Sequence, residues 1–124
     1  MYYPEDGFIG KFRKYTIQPV LFGGGRYPSK GVEKGEYQSL EKARVDAVKL
    51  IKENSKWFYA KCFIYEYHRG YEGILVEKIS WDYNNNTKKT GYYCEIEHKR
   101  TYRYKVNTST GALGEKVKRS DLTP

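Results

Sequence analysis

Apolar and aromatic residues alternate along residues 57–67 without leaving a polar face, and this is the most informative pattern in the chain. Successive residues of a β-strand point to opposite faces of the sheet. As a strand, the segment carries on one face Phe58, Ala60, Cys62 and Ile64, and on the other Trp57, Tyr59, Phe63, Tyr65 and Tyr67. Because neither face suits water, we expect the tyrosine-rich face to meet a ligand, a partner protein or a second copy of the chain.

A helix is predicted over residues 40–54. Ser39 is a good N-cap, and Glu41 suits the positive end of the helix dipole. Apolar residues recur three and four positions apart, at Leu40, Ala43, Ala47, Leu50 and Ile51. A helix of this length is ~22 Å long and ~10 Å wide, so it can cover only one face of a sheet. We interpret it as that cover rather than as a DNA-recognition helix.

The remaining segments predict a mainly antiparallel sheet. Strand patterns occupy residues 12–22, 74–83, 92–98, 101–106 and 112–117, and residues 118–124 resemble a frayed tail. Pro19 lacks an N–H, so the first strand is predicted to be an edge strand or to bulge there. Residues 23–37 carry five glycines and no periodicity, which predicts a long loop. We predict an α+β fold with one domain over residues 1–124, an antiparallel sheet of about four to six strands and a single amphipathic helix packed on one face, in the order β-loop-α-β-β-β-β.

Composition narrows the class of protein. The chain has 124 residues, of which 39% are apolar and 17% aromatic, enough for one domain with a modest core. It has no apolar run of the ~18 residues that a membrane span needs, and its N-terminus lacks the features of a signal peptide. We therefore expect a cytoplasmic protein with no membrane partner. Cys62 and Cys94 are predicted to point into the core as reduced thiols. A disulfide is the alternative, and it is excluded if their two strands flank a third.

The charge is positive and unevenly distributed. The net charge is +8, and residues 99–124 carry seven Lys or Arg against two Asp or Glu. A basic C-terminal quarter indicates an anionic partner, although charge alone does not distinguish nucleotides, nucleic acids and acidic protein surfaces.

The glycine-rich loop contains one candidate anion site. Gly23 to Gly25 would let backbone N–H groups approach an anion, with Arg26, Tyr27 and Lys30 closing over it. The spacing does not match a phosphate-binding P-loop, and no helix follows directly. A flexible connector remains the alternative for this segment.

The segment 98–105 contains the second candidate, because it alternates cations with aromatic rings. Arg100 and Arg103 can each pair with a phosphate through two N–H groups, while Tyr102 or Tyr104 can stack on a base. Basic residues on a strand also discourage edge-to-edge aggregation, and that alternative stays open. The segment matches no known nucleic-acid-binding motif.

Catalytic and metal-binding patterns are weak. His98 is predicted to share the core face of Cys94, and His68 to lie solvated in a turn. Histidines and cysteines lack the close pairs of a structural zinc site, so we expect neither a metal nor a cofactor. Glu95 and Glu97 follow the ordinary pattern of a solvated strand. We expect a binding protein rather than an enzyme.

Three functional hypotheses follow. The first is an oligomeric protein that buries tyrosine-rich faces between subunits and captures an anionic small molecule such as a nucleotide. The second is a binder of nucleic acid or of a host nucleoprotein complex through the basic C-terminal quarter. The third is a structural component of an assembly. The composition is typical of accessory proteins of phages and mobile elements, for which capture of a host immune nucleotide or inhibition of a host nuclease complex is a plausible anti-defence role.

Overall fold

The computed structural model describes residues 14–21, 29–54, 61–68, 73–84 and 86–122. These residues form eight strands, one α-helix and a short 3-10 turn. The elements are β1 (Lys14–Leu21), β2 (Ser29–Lys30), β3 (Lys34–Tyr37), α1 (Leu40–Asn54), β4 (Lys61–Tyr67), β5 (Ile74–Asn84), β6 (Lys89–Ile96), β7 (Tyr102–Val106), β8 (Leu113–Lys118) and the 3-10 turn Arg119–Asp121.

All strands join one antiparallel sheet in the order β2-β1-β4-β5-β6-β7-β8, and β3 pairs with β1 beside β2. Within the described residues, the predicted α+β class, antiparallel sheet and single helix are confirmed. The sheet is seven strands wide, slightly more than the range predicted from sequence. In the described part of the chain, no helix has the length and apolar character needed to cross a membrane.

The additional strands β2 and β3 come from the segment predicted to be a loop. They have no apolar periodicity because β3 is mostly exposed, and both are held by backbone pairing to β1.

Pro19 of β1 lies opposite the gap between β2 and β3. In an antiparallel strand the N–H and C=O of one residue point to the same side. The Pro19 carbonyl accepts a hydrogen bond from the Gly31 N–H at 2.8 Å, so the missing donor faces the gap at residues 31–33 between β2 and β3. The pairing of β1 with β3 is irregular between Tyr15 and Ile17 rather than at Pro19.

The main core lies between α1 and the sheet. The helix packs on β1, β3, β4 and β5. Its N-terminus is capped as predicted, since Ser39 Oγ accepts a hydrogen bond from the Lys42 N–H at 3.3 Å. The buried side chains of this core are Tyr15, Ile17, Ala43, Ala47, Val48, Leu50, Ile51, Cys62, Ile64, Ile79, Cys94 and Val106.

The two cysteines are free and buried, which confirms their predicted placement. Cys62 of β4 and Cys94 of β6 both lie opposite Ile79 of β5, one on each side. They are therefore two inter-strand spacings of ~4.8 Å apart, too far for a disulfide. Burial is the main cause that raises the pKa of the Cys62 thiol to about 12.

Candidate anion-binding site

Cations and hydroxyls converge where β7 begins and β8 ends. Tyr102 lies opposite Lys118 in the antiparallel register, so the chain entering β7 runs beside the chain leaving β8. The Arg119 N–H donates to the Thr101 carbonyl at 3.0 Å and extends this pairing past the strands. The result is an open cleft of about 560 Å³, here named the basic cleft, lined by Arg100, Thr101, Lys118, Arg119 and Ser120.

Neighbouring carboxylates hold the two guanidinium groups of the basic cleft in place. Arg100 Nε donates to the Glu97 carbonyl at 3.0 Å, and its Nη2 pairs with the Glu97 carboxylate. Arg119 Nε lies 3.7 Å from Glu95 Oε1. Lys118 makes no ion pair with any residue the structure describes. Each guanidinium has five N–H donors, so both can bind an anion while keeping these contacts.

The structure separates the residues of the predicted 100–103 site. Arg100 lines the basic cleft, and Tyr102 lies beside it with Lys116 Nζ 4.3 Å from its ring centroid. Arg103 is buried on the opposite face of the sheet, where its Nη1 donates to Asp82 at 2.9 Å. Arg103 therefore balances a buried charge and is not part of the cleft.

The other predicted anion site falls mostly outside the described residues. Arg26 and Tyr27 are not described. Lys30 belongs to β2, which stands at the opposite end of the strand order from β8. The strand order does not bring Lys30 beside Arg100.

The C-terminal segment, predicted to be a frayed tail, is instead anchored and supplies part of the cleft. Leu122 is buried against Tyr93 and Val117. The Asp121 carbonyl accepts hydrogen bonds from Asn84 Nδ2 at 3.0 Å and from Thr87 Oγ1 at 2.7 Å. These contacts fix the 3-10 turn that carries Arg119 and Ser120.

A charge network lies under the cleft on the face opposite the helix. Glu95 is only 6% exposed, although the sequence predicted a solvated strand residue. Its carboxylate lies 3.6 Å from Arg103 Nε and 4.0 Å from Lys78 Nζ. Burial, followed by the nearby cations Lys78 and Arg103, lowers the pKa of Lys61 on the same face. The sequence pattern correctly placed Glu95 on the face opposite the core. That face is covered at Glu95, because β6 is an interior strand and the side chains of Lys78 and Arg103 lie beside the carboxylate.

The two histidines exchange the roles predicted for them. His68 is buried with its Nε2 2.7 Å from Glu66 Oε1, and His98 is exposed. The physical reason is strand length. β6 ends at Ile96, so His98 lies in the turn that follows and does not point into the core. His68 directly follows the end of β4 at Tyr67, and its side chain points to the same side of the sheet as the buried Cys62. Among the described residues, no three His, Cys, Asp or Glu side chains form a group able to hold a metal ion.

The tyrosine-rich face of β4 makes internal hydrogen bonds. Tyr65 Oη donates to Gln18 Oε1 at 2.8 Å, and Tyr67 Oη donates to Glu33 Oε1 at 2.6 Å. Among the described residues, the large apolar side chains most open to solvent are Val32, Trp81 and Tyr83. Two of the three belong to β5 and lie on the helix side of the sheet.

Partly buried aromatic rings also stand on the helix side of β6 and β7, on either side of the buried residues Cys94 and Val106. Cross-strand neighbours share a face, which places Trp81 beside Tyr92, and Tyr104 beside Lys116. The rings of Trp81 and Tyr92 are 4.8 Å apart between centroids. These helix-side positions of β5 to β8, here named the aromatic face, adjoin the core beneath the helix, which packs on β5 and places Lys52 over Tyr92. The members of the aromatic face are Trp81, Tyr92, Tyr102, Tyr104, Lys116 and Lys118.

Comparison with known proteins finds no match for this chain: no protein-family model, no curated protein and no solved structure matches it significantly.

Proposed function

We propose that the protein is a non-enzymatic binding protein that captures a phosphate-bearing anion in the basic cleft. The observation that carries this proposal is the convergence of three cations and two hydroxyl groups on adjacent ends of β7 and β8. No carboxylate is among the residues that line this cleft, so an anion there meets only donors from the lining side chains.

Each lining side chain has a chemical role in this proposal. Arg100 and Arg119 present planar forks that match two phosphate oxygens, while Lys118 acts as a mobile point charge. Thr101 and Ser120 supply hydroxyl donors that contact the remaining oxygens. Because the cleft is open and salt screens exposed charges, binding should weaken as ionic strength rises.

Other parts of the functional hypothesis rest on sequence pattern and composition. A homo-oligomeric state, a cytoplasmic location and an anti-defence role in a phage or mobile element are proposals of this kind. The basic cleft is consistent with capture of a nucleotide, and it contains the predicted residue Arg100.

Charge-neutral variants test the proposal. The affinities of inorganic phosphate, ATP and a short single-stranded oligonucleotide are measured by isothermal titration calorimetry at low salt. The cleft variant carries Arg100→Gln and Arg119→Gln. The matched control carries Lys34→Gln and Lys42→Gln, which remove the same charge from exposed positions away from the cleft.

We expect the cleft variant to lose at least about tenfold in affinity for whichever anion binds, because charge-assisted hydrogen bonds contribute roughly 1.5–3 kcal/mol each. The control should change little. An equal loss in both variants would show that net charge, not the cleft, holds the anion. Absence of binding by the wild-type protein to all three probes would overturn the proposal.

A further inference from the structure

We infer that the ligand is a single-stranded nucleic acid, with its phosphates at the basic cleft and its bases on the aromatic face; this rests on the proposed anion-binding function. The two surfaces meet at Lys118, which lines the cleft and lies opposite Tyr102. A ligand long enough to use both must carry phosphates and flat rings in one chain.

The rings of the aromatic face are accessible because of the topology. The helix packs on β1, β3, β4 and β5, and Val106 of β7 and Leu113 of β8 also join the core. The other helix-side positions of β7 and β8 remain at least partly exposed. Trp81 is 46% exposed. Tyr102 and Tyr104 are partly exposed and stand two residues apart on one strand, about 7 Å along the chain. Successive bases could therefore stack on successive rings.

The cations of the aromatic face follow the same rows as the rings. Lys116 lies opposite Tyr104, and Lys118 lies opposite Tyr102. On the helix side, Lys52 Nζ lies 5.6 Å from the ring centroid of Tyr92. Rings flanked by lysines are the arrangement by which proteins bind single strands, since every base has a stacking surface and every nucleotide a phosphate.

Two carboxylates, Glu115 and Asp121, line a pocket at the edge strand β8 together with Tyr102, Lys116 and Lys118. Glu115 of β8 points away from the aromatic face and pairs with Lys89 at 2.8 Å. Glu77 is buried, and its charge is balanced by Arg44 at 2.7 Å. The charged members of the aromatic face are Lys116 and Lys118, so its charge is complementary to a polyanion.

The same charge argues against a second copy of the chain as the occupant. Two copies meeting through this face would oppose Lys116 and Lys118 to their own symmetry mates, in a chain that already has a net charge of +8. A duplex is also a poor occupant, because its bases are already stacked and only its phosphates would be available.

Fluorescence anisotropy with a labelled 12-nucleotide oligo-dT tests the inference against a duplex of the same length and against anionic phosphatidylserine vesicles. The ring variant carries Trp81→Ala and Tyr104→Ala. Tyr104→Phe is its control, because phenylalanine keeps the ring and loses only the hydroxyl. The charge variant carries Lys116→Gln and Lys118→Gln at exposed positions, and circular dichroism checks that each variant is folded.

The ring variant should lose at least about tenfold in affinity for oligo-dT, and Tyr104→Phe should stay near wild type. The charge variant should flatten the salt dependence, since each lost phosphate contact removes about 0.7 from the slope of log K against log salt. Binding should also quench tryptophan fluorescence in wild type, and this quenching should be absent in Trp81→Phe.

Retained affinity in the folded ring variant would overturn the inference, as would equal or tighter binding of the duplex or of the vesicles. The proposed anion site would still stand if the cleft variant, Arg100→Gln with Arg119→Gln, loses affinity for phosphate or ATP. If the cleft variant binds phosphate and ATP as tightly as wild type, both proposals are overturned.

Discussion

Gly111 is the residue on which the loop between β7 and β8 most depends. It has φ of +78°, in the left-handed region that disfavours side chains. A Cβ at this position would collide with the backbone carbonyl of Glu41 in the first turn of α1. Glycine therefore allows the loop to sit against the helix N-terminus.

Gly111→Ala should lower the free energy of unfolding by more than about 2 kcal/mol, because the left-handed φ alone costs roughly 1–2 kcal/mol and the collision adds to it. Urea unfolding followed by circular dichroism measures the change. Gly114→Ala is the matched control, since the nearest atom to its added Cβ would be a carbonyl oxygen at an ordinary 3.5 Å. Equal stability of the two variants would contradict this account of the loop.

Tyr37 provides a pH-dependent contact between β3 and the helix. Its Oη donates to Asp46 Oδ2 at 2.7 Å. Burial, followed by this hydrogen bond to a carboxylate, raises the pKa of Tyr37 above its ordinary value of 10.0. A raised pKa in the folded state stabilises the protein below pH 10.0, and the stabilisation is lost as the pH rises through the folded-state pKa.

Tyr37→Phe should therefore cost about 1 kcal/mol at pH 7 and pH 9, and the deficit relative to wild type should shrink above pH 10. The comparison uses urea unfolding of both proteins at each pH, so that titration of all other groups cancels. A deficit that grows above pH 10 would contradict the assigned direction of the pKa shift.

Single residues also show where sequence reasoning succeeds. Parity along a strand correctly placed Cys62 and Cys94 in the core. The same parity, extended one residue past the end of β4 at Tyr67, would have placed His68 there. Arg100 could be selected because it lies in a basic and aromatic segment. Arg119 could not, because its position beside Thr101 depends on the pairing of β7 with β8.

At the scale of elements, a buried ion pair joins the helix to the sheet. Arg44 Nε and Nη2 donate to the two carboxylate oxygens of Glu77 at 2.8 and 2.7 Å, and Nη1 donates to the Gly111 carbonyl at 3.0 Å. Cys94 Sγ lies 3.1 Å from the same carboxylate. One guanidinium thus connects α1, β5 and the loop between β7 and β8.

Arg44→Met should lower the free energy of unfolding by about 3–5 kcal/mol, because it leaves the Glu77 charge buried without its partner. Adding Glu77→Leu should restore much of the loss, since a pair of apolar side chains needs no charge balance. Urea unfolding of the single and double variants measures the coupling. Simple additivity of the two losses would show that the pair does not act as a unit.

The predictability of the elements depends on what holds them. The helix Leu40–Asn54 has the bounds predicted from its apolar periodicity, because its buried stripe determines its packing. The strands β2 and β3 are held by backbone hydrogen bonds to β1 and bury little, so no side-chain pattern marks them. The 3-10 turn Arg119–Asp121 was missed because a single apolar residue, Leu122, anchors it.

At the scale of the whole molecule, the fold pairs the buried carboxylates with cations and leaves other cations exposed. The buried carboxylate of Glu95 and the half-buried carboxylate of Asp82 lie on the face opposite the helix, where they balance Arg103. Exposed cations remain at the end of β7 and β8. The fold decides which cations are paired and which remain exposed. The net charge of +8 therefore predicted an anionic partner, but it did not predict where that partner binds.

The central claim is that an anion binds in the basic cleft, and amide chemical-shift mapping tests it most directly. A two-dimensional ¹⁵N–¹H spectrum is recorded while inorganic phosphate, ATP or oligo-dT is added. We predict that the largest shifts occur at residues 100–101 and 118–120, and that oligo-dT additionally shifts amides around Tyr104. Shifts confined to other parts of the sheet, or no shifts with any of the three probes, would contradict the account.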